Sequence, residues 1–263
     1  MNKLTSLIIP ALLLSACSKT TQRLPQSSSR PYEVIVVNDS SNHMKDVLAA
    51  DCDSMPQPEP LFDVTSISSK NMHGTIKLAR AIVICDNRKT TLVERNKDAE
   101  PQIVIHGSVS DSTHIRALLG AFEYQSAVNE LKRRHNPKME KTIKAMFGIS
   151  MLIPTDMNSS KKARNFIWIS NNTVEGMKNI VILKGNVEEM LRNNLKGETD
   201  SMYLSLKDHG LWEMKGDAMG GPYRMKTWKN GKETITVIAF TYSPGTRKRN
   251  YMRQLEAVLY TIN

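Results

Sequence analysis

The chain lacks the short motifs that mark the commonest catalytic and metal sites. It has no glycine-rich phosphate loop followed by lysine, no His-Glu-x-x-His, no Cys-x-x-Cys and no Gly-x-Ser-x-Gly. Its 6 histidines are scattered without ligand spacing. Its 15 methionines are spread along predicted strands and helices, which is typical of core filling rather than of a copper site. We therefore expect no metal and no cofactor.

The chain also begins with an apolar run, residues 7–14, that is far shorter than the roughly 20 residues needed to cross a bilayer. Lys3 precedes this run, and the small residues Ser15 and Ala16 lead directly to Cys17. This order is typical of a bacterial secretory signal that ends in a lipobox. It predicts a cleaved signal peptide and a lipidated cysteine.

We place the signal peptide at residues 1–16, so that Cys17 becomes the first residue and carries diacylglycerol on its thiol and palmitate-type acyl chains. Two or three acyl chains attach a protein to a membrane far more firmly than one. No acidic run follows the cysteine, so we expect a location in the bacterial cell envelope, at the outer membrane and facing the periplasm. The alternative is a secreted protein whose cysteine merely lies near the cleavage site.

The remaining chain predicts an α+β fold of two lobes, each with a mostly antiparallel or mixed sheet packed against amphipathic helices. Residues 17–31 are polar and read as a flexible tether. Continuous apolar strands and long helices place an N-terminal lobe at residues 32–148. Alternating strands and a closing amphipathic helix place a C-terminal lobe with a β-meander at residues 149–263.

The charge of the chain is concentrated in its second part. Residues 17–110 carry 11 Lys/Arg and 11 Asp/Glu, whereas residues 111–263 carry 24 and 15, a net charge of +9. A basic region in an envelope protein points to anionic lipid headgroups or an anionic envelope polymer, and we expect no nucleic acid partner. The alternative is that the charge serves solubility.

Arg247, Lys248 and Arg249 lead into the last predicted helix. Cations in a first turn oppose the helix dipole, but the free amides at a helix start already attract anions. The three residues therefore form a candidate anion-binding site, with a merely solvated turn as the alternative.

A second candidate is a glycine-rich segment between two alternating strands. Asp217, Gly220 and Gly221 lie in it, and they read as a ligand-binding loop with exposed backbone amides. The competing interpretation is an elaborate hairpin loop in which the aspartate bonds its own backbone.

Beyond the lipidated residue, Cys52 and Cys85 are the remaining cysteines. In an oxidising compartment such a pair could form one disulfide. One cysteine lies in a predicted loop and the other ends a strand, so two separate thiols is the default interpretation.

The chain resembles the family described as domain of unknown function 4837, uncharacterised lipoproteins typical of Bacteroidetes envelopes. The resemblance covers nearly all of the mature chain and is carried by five short stretches, although this sequence is shorter than typical members between residues 187 and 211. They are residues 31–34, 56–64, 147–154, 211–223 and 243–261. The resemblance implies an anchored envelope protein and assigns no catalytic residue.

These features together predict a lipid-anchored envelope protein that binds or scaffolds without catalysing a reaction. Its partners would be the membrane, through the N-terminal lipid, and an anionic polymer, a headgroup or another envelope protein. The alternative function is a hydrolase or transferase that acts on a cell-envelope polymer and uses the glycine-rich loop.

Overall fold

The computed structural model describes residues 23–173, 175–231 and 233–263. These residues form two β-sheets and five α-helices. The predicted signal peptide, residues 1–16, and the predicted lipidation site Cys17 lie outside the described residues. Within the described ranges, no helix is both long enough and apolar enough to cross a membrane.

The first sheet contains four parallel strands and one antiparallel edge strand, in the order β2-β1-β3-β5-β4. Its strands are β1 (Glu33–Val37), β2 (Asp63–Ile67), β3 (Ala81–Cys85), β4 (Leu92–Arg95) and β5 (Ile103–Gly107). Parallel strands are covered on both faces, which explains the unbroken apolar runs in the sequence. Val83 of β3 faces one apolar cluster, and its neighbour Ile82 faces another.

Two helices cover one face of this sheet. They are α1 (His43–Leu48) and α2 (Ser112–Arg133), and their apolar residues join the larger cluster of the N-terminal lobe. A buried ion pair fixes the start of β3 to α2, because Arg80 Nη2 lies 2.9 Å from Glu123 Oε2. The guanidinium of Arg80 also lies 5.2 Å from the centre of the Phe122 ring.

The second sheet is entirely antiparallel, with the order β6-β7-β8-β11-β10-β9. Its strands are β6 (Ser159–Ala163), β7 (Phe166–Ser170), β8 (Met177–Lys184), β9 (His209–Met214), β10 (Met219–Asn230) and β11 (Glu233–Tyr242). Asn230 and Glu233 pair across the tight turn between β10 and β11, where Gly231 has a φ of 64°. The Asn-Gly hairpin of the sequence is thereby found in the structure.

Three further helices pack on the second sheet: α3 (Pro137–Phe147), α4 (Val187–Asn194) and α5 (Arg249–Tyr260). The face with α3 and α5 is separate from the face that contacts α4. The α3 helix begins as its sequence predicts, since the Asn136 side chain accepts a hydrogen bond from the Met139 amide at 3.1 Å. Its buried side chains join the core of the second sheet, although the sequence boundary at residue 148 grouped this helix with the first lobe.

The segment expected to be a flexible tether is held on the first lobe from Pro25 onward. The amide of Glu100 donates to the Pro25 carbonyl at 2.9 Å, and the amide of Ser28 donates to the Leu78 carbonyl at 2.9 Å. The Arg80 amide donates to Ser29 Oγ at 2.8 Å. These bonds join the segment to residues at the amino ends of β3 and β5, so the prediction of a flexible tether through residue 31 is wrong for residues 25–29.

The predicted two-lobed α+β architecture is confirmed.

Glu123→Ala should destabilise the protein by about 3–5 kcal/mol, because it leaves the buried Arg80 guanidinium without its carboxylate. The free energy of unfolding in urea measures the effect. Glu130→Ala on the same helix is the matched control. Its ion pair with Arg133 is exposed and should be worth only about 0–1 kcal/mol. Equal losses in both variants would contradict a stabilising role for the buried pair.

Candidate functional site

The amino terminus of α5 meets a carboxylate of the N-terminal lobe. Glu59 Oε1 accepts a hydrogen bond from the Lys248 amide at 2.8 Å, and Glu59 Oε2 accepts one from the Arg249 amide at 2.8 Å. Glu59 is only 4% exposed. The free amides of a helix start favour an anion, and here that anion belongs to the same chain.

The side chains of this first turn also contact the N-terminal lobe. Arg249 Nη2 lies 2.8 Å from Asp63 Oδ2, and Arg247 Nη1 lies 2.5 Å from Asp63 Oδ1. Arg249 also donates to the carbonyl of Pro60. Partial burial alone would raise the pKa of Asp63, but the hydrogen bonds and charges of Arg249 and Arg247 outweigh it and hold the pKa below its ordinary value.

The predicted anion-binding residues are therefore brought together, but their partners are internal. The main-chain amides of Lys248 and Arg249 are bonded to Glu59, and the two arginine side chains are paired with Asp63. We call this set of contacts the lobe junction. Its role is to hold the two lobes together.

Asp217 is also engaged within the protein. It lies in a short turn before β10, and its Oδ1 accepts hydrogen bonds from the Thr199 amide at 2.9 Å and the Thr199 hydroxyl at 3.0 Å. Its Oδ2 accepts from the Asp200 amide at 3.1 Å. Hydrogen bonding from the Thr199 backbone is the main reason that the pKa of Asp217 is lowered.

Gly220 and Gly221 lie inside strand β10 rather than in an open loop. A Cβ on Gly221 would collide with the backbone carbonyl oxygen of Thr241 on the neighbouring strand. The same oxygen accepts a hydrogen bond from Trp212 Nε1 at 3.0 Å. These contacts support the interpretation of this segment as a hairpin whose glycines permit close strand packing.

A groove of about 660 Å³ lies between α2, α3, the segment after α3 and the end of the chain. No pattern in the sequence predicted this groove. Its lining residues are Val128, Lys132, Pro137, Glu140, Lys141, Lys144, Ser150, Met151, Leu152, Tyr260, Thr261 and Asn263. Its lining positions on α3 recur every three or four residues, which places them on one helix face.

The rim of this groove is positively charged. Lys132 projects from α2, and Lys141 and Lys144 project from α3. Within the described residues, none of the three lysines is in an ion pair with a carboxylate. The one acidic side chain in the groove, Glu140, accepts a hydrogen bond from the Ile153 amide at 3.0 Å and lies 2.9 Å from His135 Nδ1. We call this feature the lysine groove.

Two family models match the chain. The model of the family described as domain of unknown function 4837 matches residues 136–205 and 193–261, which lie in α3 and the second sheet with its helices. The match covers a little less than half of the chain, and it shows that the C-terminal part is similar to that family. The predicted resemblance is confirmed for this part, but the stretches at residues 31–34 and 56–64 lie outside the match, so the expectation that it covers nearly all of the mature chain is wrong. The model of the family described as domain of unknown function 8532 matches residues 27–146, so a different family describes the N-terminal part.

A solved structure is similar to part of this chain. A crystal structure of a protein from Bacteroides thetaiotaomicron VPI-5482 is 21% identical and covers 44% of this chain and 44% of its own, with a TM-score of 0.23. The match thus spans less than half of that protein. No curated protein matches the chain.

A smaller cavity of about 240 Å³ lies between the two lobes, beside the lobe junction. Two of its charged residues form an ion pair within the second lobe, where Arg224 Nε of β10 lies 2.9 Å from Glu256 Oε1 of α5. Arg253 lies 3.7 Å from Cys52 Sγ and stacks on the Tyr32 ring at 4.0 Å.

The two remaining cysteines are separate free thiols. Cys52 lies near the start of β2, because its amide bonds the carbonyl of Glu59, whereas Cys85 is at the carboxyl end of β3. The strands are parallel, so one cysteine lies at the amino ends of the strands and the other at the carboxyl ends, beyond the reach of a disulfide. Burial raises the pKa of the Cys85 thiol to about 11.

The lobe junction should weaken in acid. Because the pKa of Asp63 is lowered on folding, its contribution is complete above its ordinary value of 3.8 and is lost as the pH falls through the lower folded value. We expect the difference in unfolding free energy between the wild type and Asp63→Asn to be constant from pH 7 to pH 5 and to shrink toward pH 3. Chemical denaturation at each pH measures it, and a difference that persists at the lowest pH would contradict the assignment.

Proposed function

We propose that this protein is a lipid-anchored, non-enzymatic component of a bacterial cell envelope that binds an anionic ligand in the lysine groove. The observation that carries this proposal is the contrast between two sets of cations. The side chains of Arg247 and Arg249 at the start of α5 are paired with Asp63 of the first lobe, whereas the lysines of the groove have no carboxylate partner among the described residues.

The shape and charge of the groove support ligand binding. Its volume of about 660 Å³ is typical of small-molecule sites, which span roughly 300–1,000 Å³. Charges of one sign that line a concave surface reinforce one another and raise the local concentration of the opposite charge. Lys132, Lys141 and Lys144 outnumber the single acidic side chain of the lining, Glu140, so the groove favours an anion.

The alternative is a hydrolase or transferase that uses the glycine-rich segment. The residues that suggested it have structural contacts instead. Both oxygens of Asp217 accept hydrogen bonds from residues 199 and 200, and the two glycines are required for strand packing. A general acid or base must reach the proton that it transfers, and this carboxylate is held by its neighbours.

The anchor and the first lobe are close in sequence. Among the residues that the structure describes, Pro25 is the first one bonded to that lobe, and only eight residue steps separate it from Cys17. At full extension they span at most about 28 Å. A lipid on Cys17 would therefore keep the amino edge of the first sheet near the membrane surface.

Lys141→Gln and Lys144→Gln should each weaken binding of tripolyphosphate by about two- to fivefold, since an exposed charge contributes about 0.5–1 kcal/mol. Isothermal titration calorimetry at low ionic strength measures the dissociation constants. Lys138→Gln is the matched control, because Lys138 lies on the same exposed helix but does not line the groove. An equal loss in the control, or no binding by the wild type, would contradict the proposal.

The anchor can be tested independently of the groove. Cells that express the full chain and are fed radioactive palmitate should label the mature protein, and Cys17→Ser should abolish the label and release the protein from the membrane fraction. An unlabelled wild type, or one that stays with the cytosolic fraction, would contradict lipid anchoring.

A further inference from the structure

The floor of the lysine groove is apolar. Val128 of α2, Met151 and Leu152 after α3, and Tyr260 at the end of α5 all line it. The ring of Tyr260 is 61% exposed and packs edge-on against Tyr124, with 5.2 Å between ring centres. A large exposed aromatic ring at the mouth of a concave surface provides apolar area that a ligand can cover.

The lysine side chains extend this apolar lining. A lysine buries its methylene stem along apolar surface while its ammonium remains in water. Lys132 on α2 and Lys144 on α3 line the same groove from two different helices. The groove therefore combines an apolar floor with a cationic rim.

Several of the uncharged polar groups in the lining form hydrogen bonds within the protein. Thr261 Oγ1 accepts from the Leu152 amide at 2.9 Å and donates to the Val258 carbonyl at 2.8 Å. The backbone N–H and C=O of Ser150 are both bonded to Asn263. A sugar or other hydrophilic polymer needs many such groups, and it would also leave the apolar floor uncovered.

We infer that the ligand of the groove is an anionic amphiphile, a lipid with an alkyl chain on the apolar floor and a phosphate headgroup on the lysine rim. This inference rests on the proposed function, which requires only an anion. It adds an apolar portion to that anion. Its signature is that affinity depends on chain length as well as on charge.

Calorimetric titration with butyl, hexyl and octyl phosphate, each below its micelle concentration, tests the inference. The full chain carrying Cys17→Ser is used, so that no attached lipid competes for the groove. Each methylene buried in the groove should tighten binding about fourfold, which gives about 250-fold from butyl to octyl phosphate if all four added methylenes are buried. Octyl glucoside, which has the same chain but no charge, should bind at least about tenfold more weakly than octyl phosphate, since it cannot pair with the lysines.

Tyr260→Ser should reduce the increase in affinity from butyl to octyl phosphate, because it removes part of the apolar floor. It should leave the affinity for tripolyphosphate unchanged. Tyr203→Ser is the matched control, since Tyr203 is similarly exposed at 57% and does not line the groove. Because both residues are exposed, neither variant should unfold the protein.

The outcomes separate the two proposals. Lysine-dependent binding of all the phosphates with no dependence on chain length would overturn the amphiphile and leave the anion-binding function standing. Octyl glucoside that binds as tightly as octyl phosphate would also overturn the amphiphile. If neither tripolyphosphate nor any alkyl phosphate binds, both proposals fail.

Discussion

The arrangement of the two lobes depends on the contact between the Glu59 carboxylate and the first turn of α5. It joins a loop of the first lobe to the last helix of the second, and it satisfies amides that would otherwise be exposed at a helix start. Glu59 is also buried, and a buried carboxylate without a hydrogen-bond partner would destabilise the folded protein. The helix amides and the Glu59 carboxylate are each stabilised by the other.

This contact explains the uneven distribution of charge along the chain. Cations at a helix start are unfavourable by themselves, but Arg247 and Arg249 here face Asp63 of the neutral N-terminal part. Some of the positive charge of the second part is thus neutralised across the lobe junction. The lysines of the groove retain theirs, and the groove is accordingly where we place the external ligand.

Local features of the fold were predictable from sequence because their causes are local. Asn136 and Pro137 start α3, Gly148 ends it with a φ of 74°, and the Asn-Gly turn joins β10 to β11. The family and the two-lobed α+β fold followed from patterns of the same kind. The first lobe was harder to delimit, since the assignment of α3 depends on which sheet its apolar face meets.

The candidate site was predictable only in part, because its partners are distant in sequence. The helix start was expected to bind an external anion, but its amides bond Glu59, which lies 189 residues before Lys248 in the sequence. No periodicity reveals such a pair. The lysine groove was missed for the same reason, since Lys132 lies on one helix and Lys141 and Lys144 on another. The spacing of residues 137, 140, 141 and 144 marks one helix face, but it does not show what that face borders.

The most direct test of this account is a titration of the isotope-labelled full chain with inorganic phosphate, followed by amide chemical shifts in NMR spectra. If the helix start is filled by Glu59 and the groove is open to anions, the amides of Lys141, Lys144 and Leu152 should shift with added phosphate. The amides of Lys248 and Arg249 should remain unchanged. Shifts at Lys248 and Arg249 with none in the groove would contradict the account.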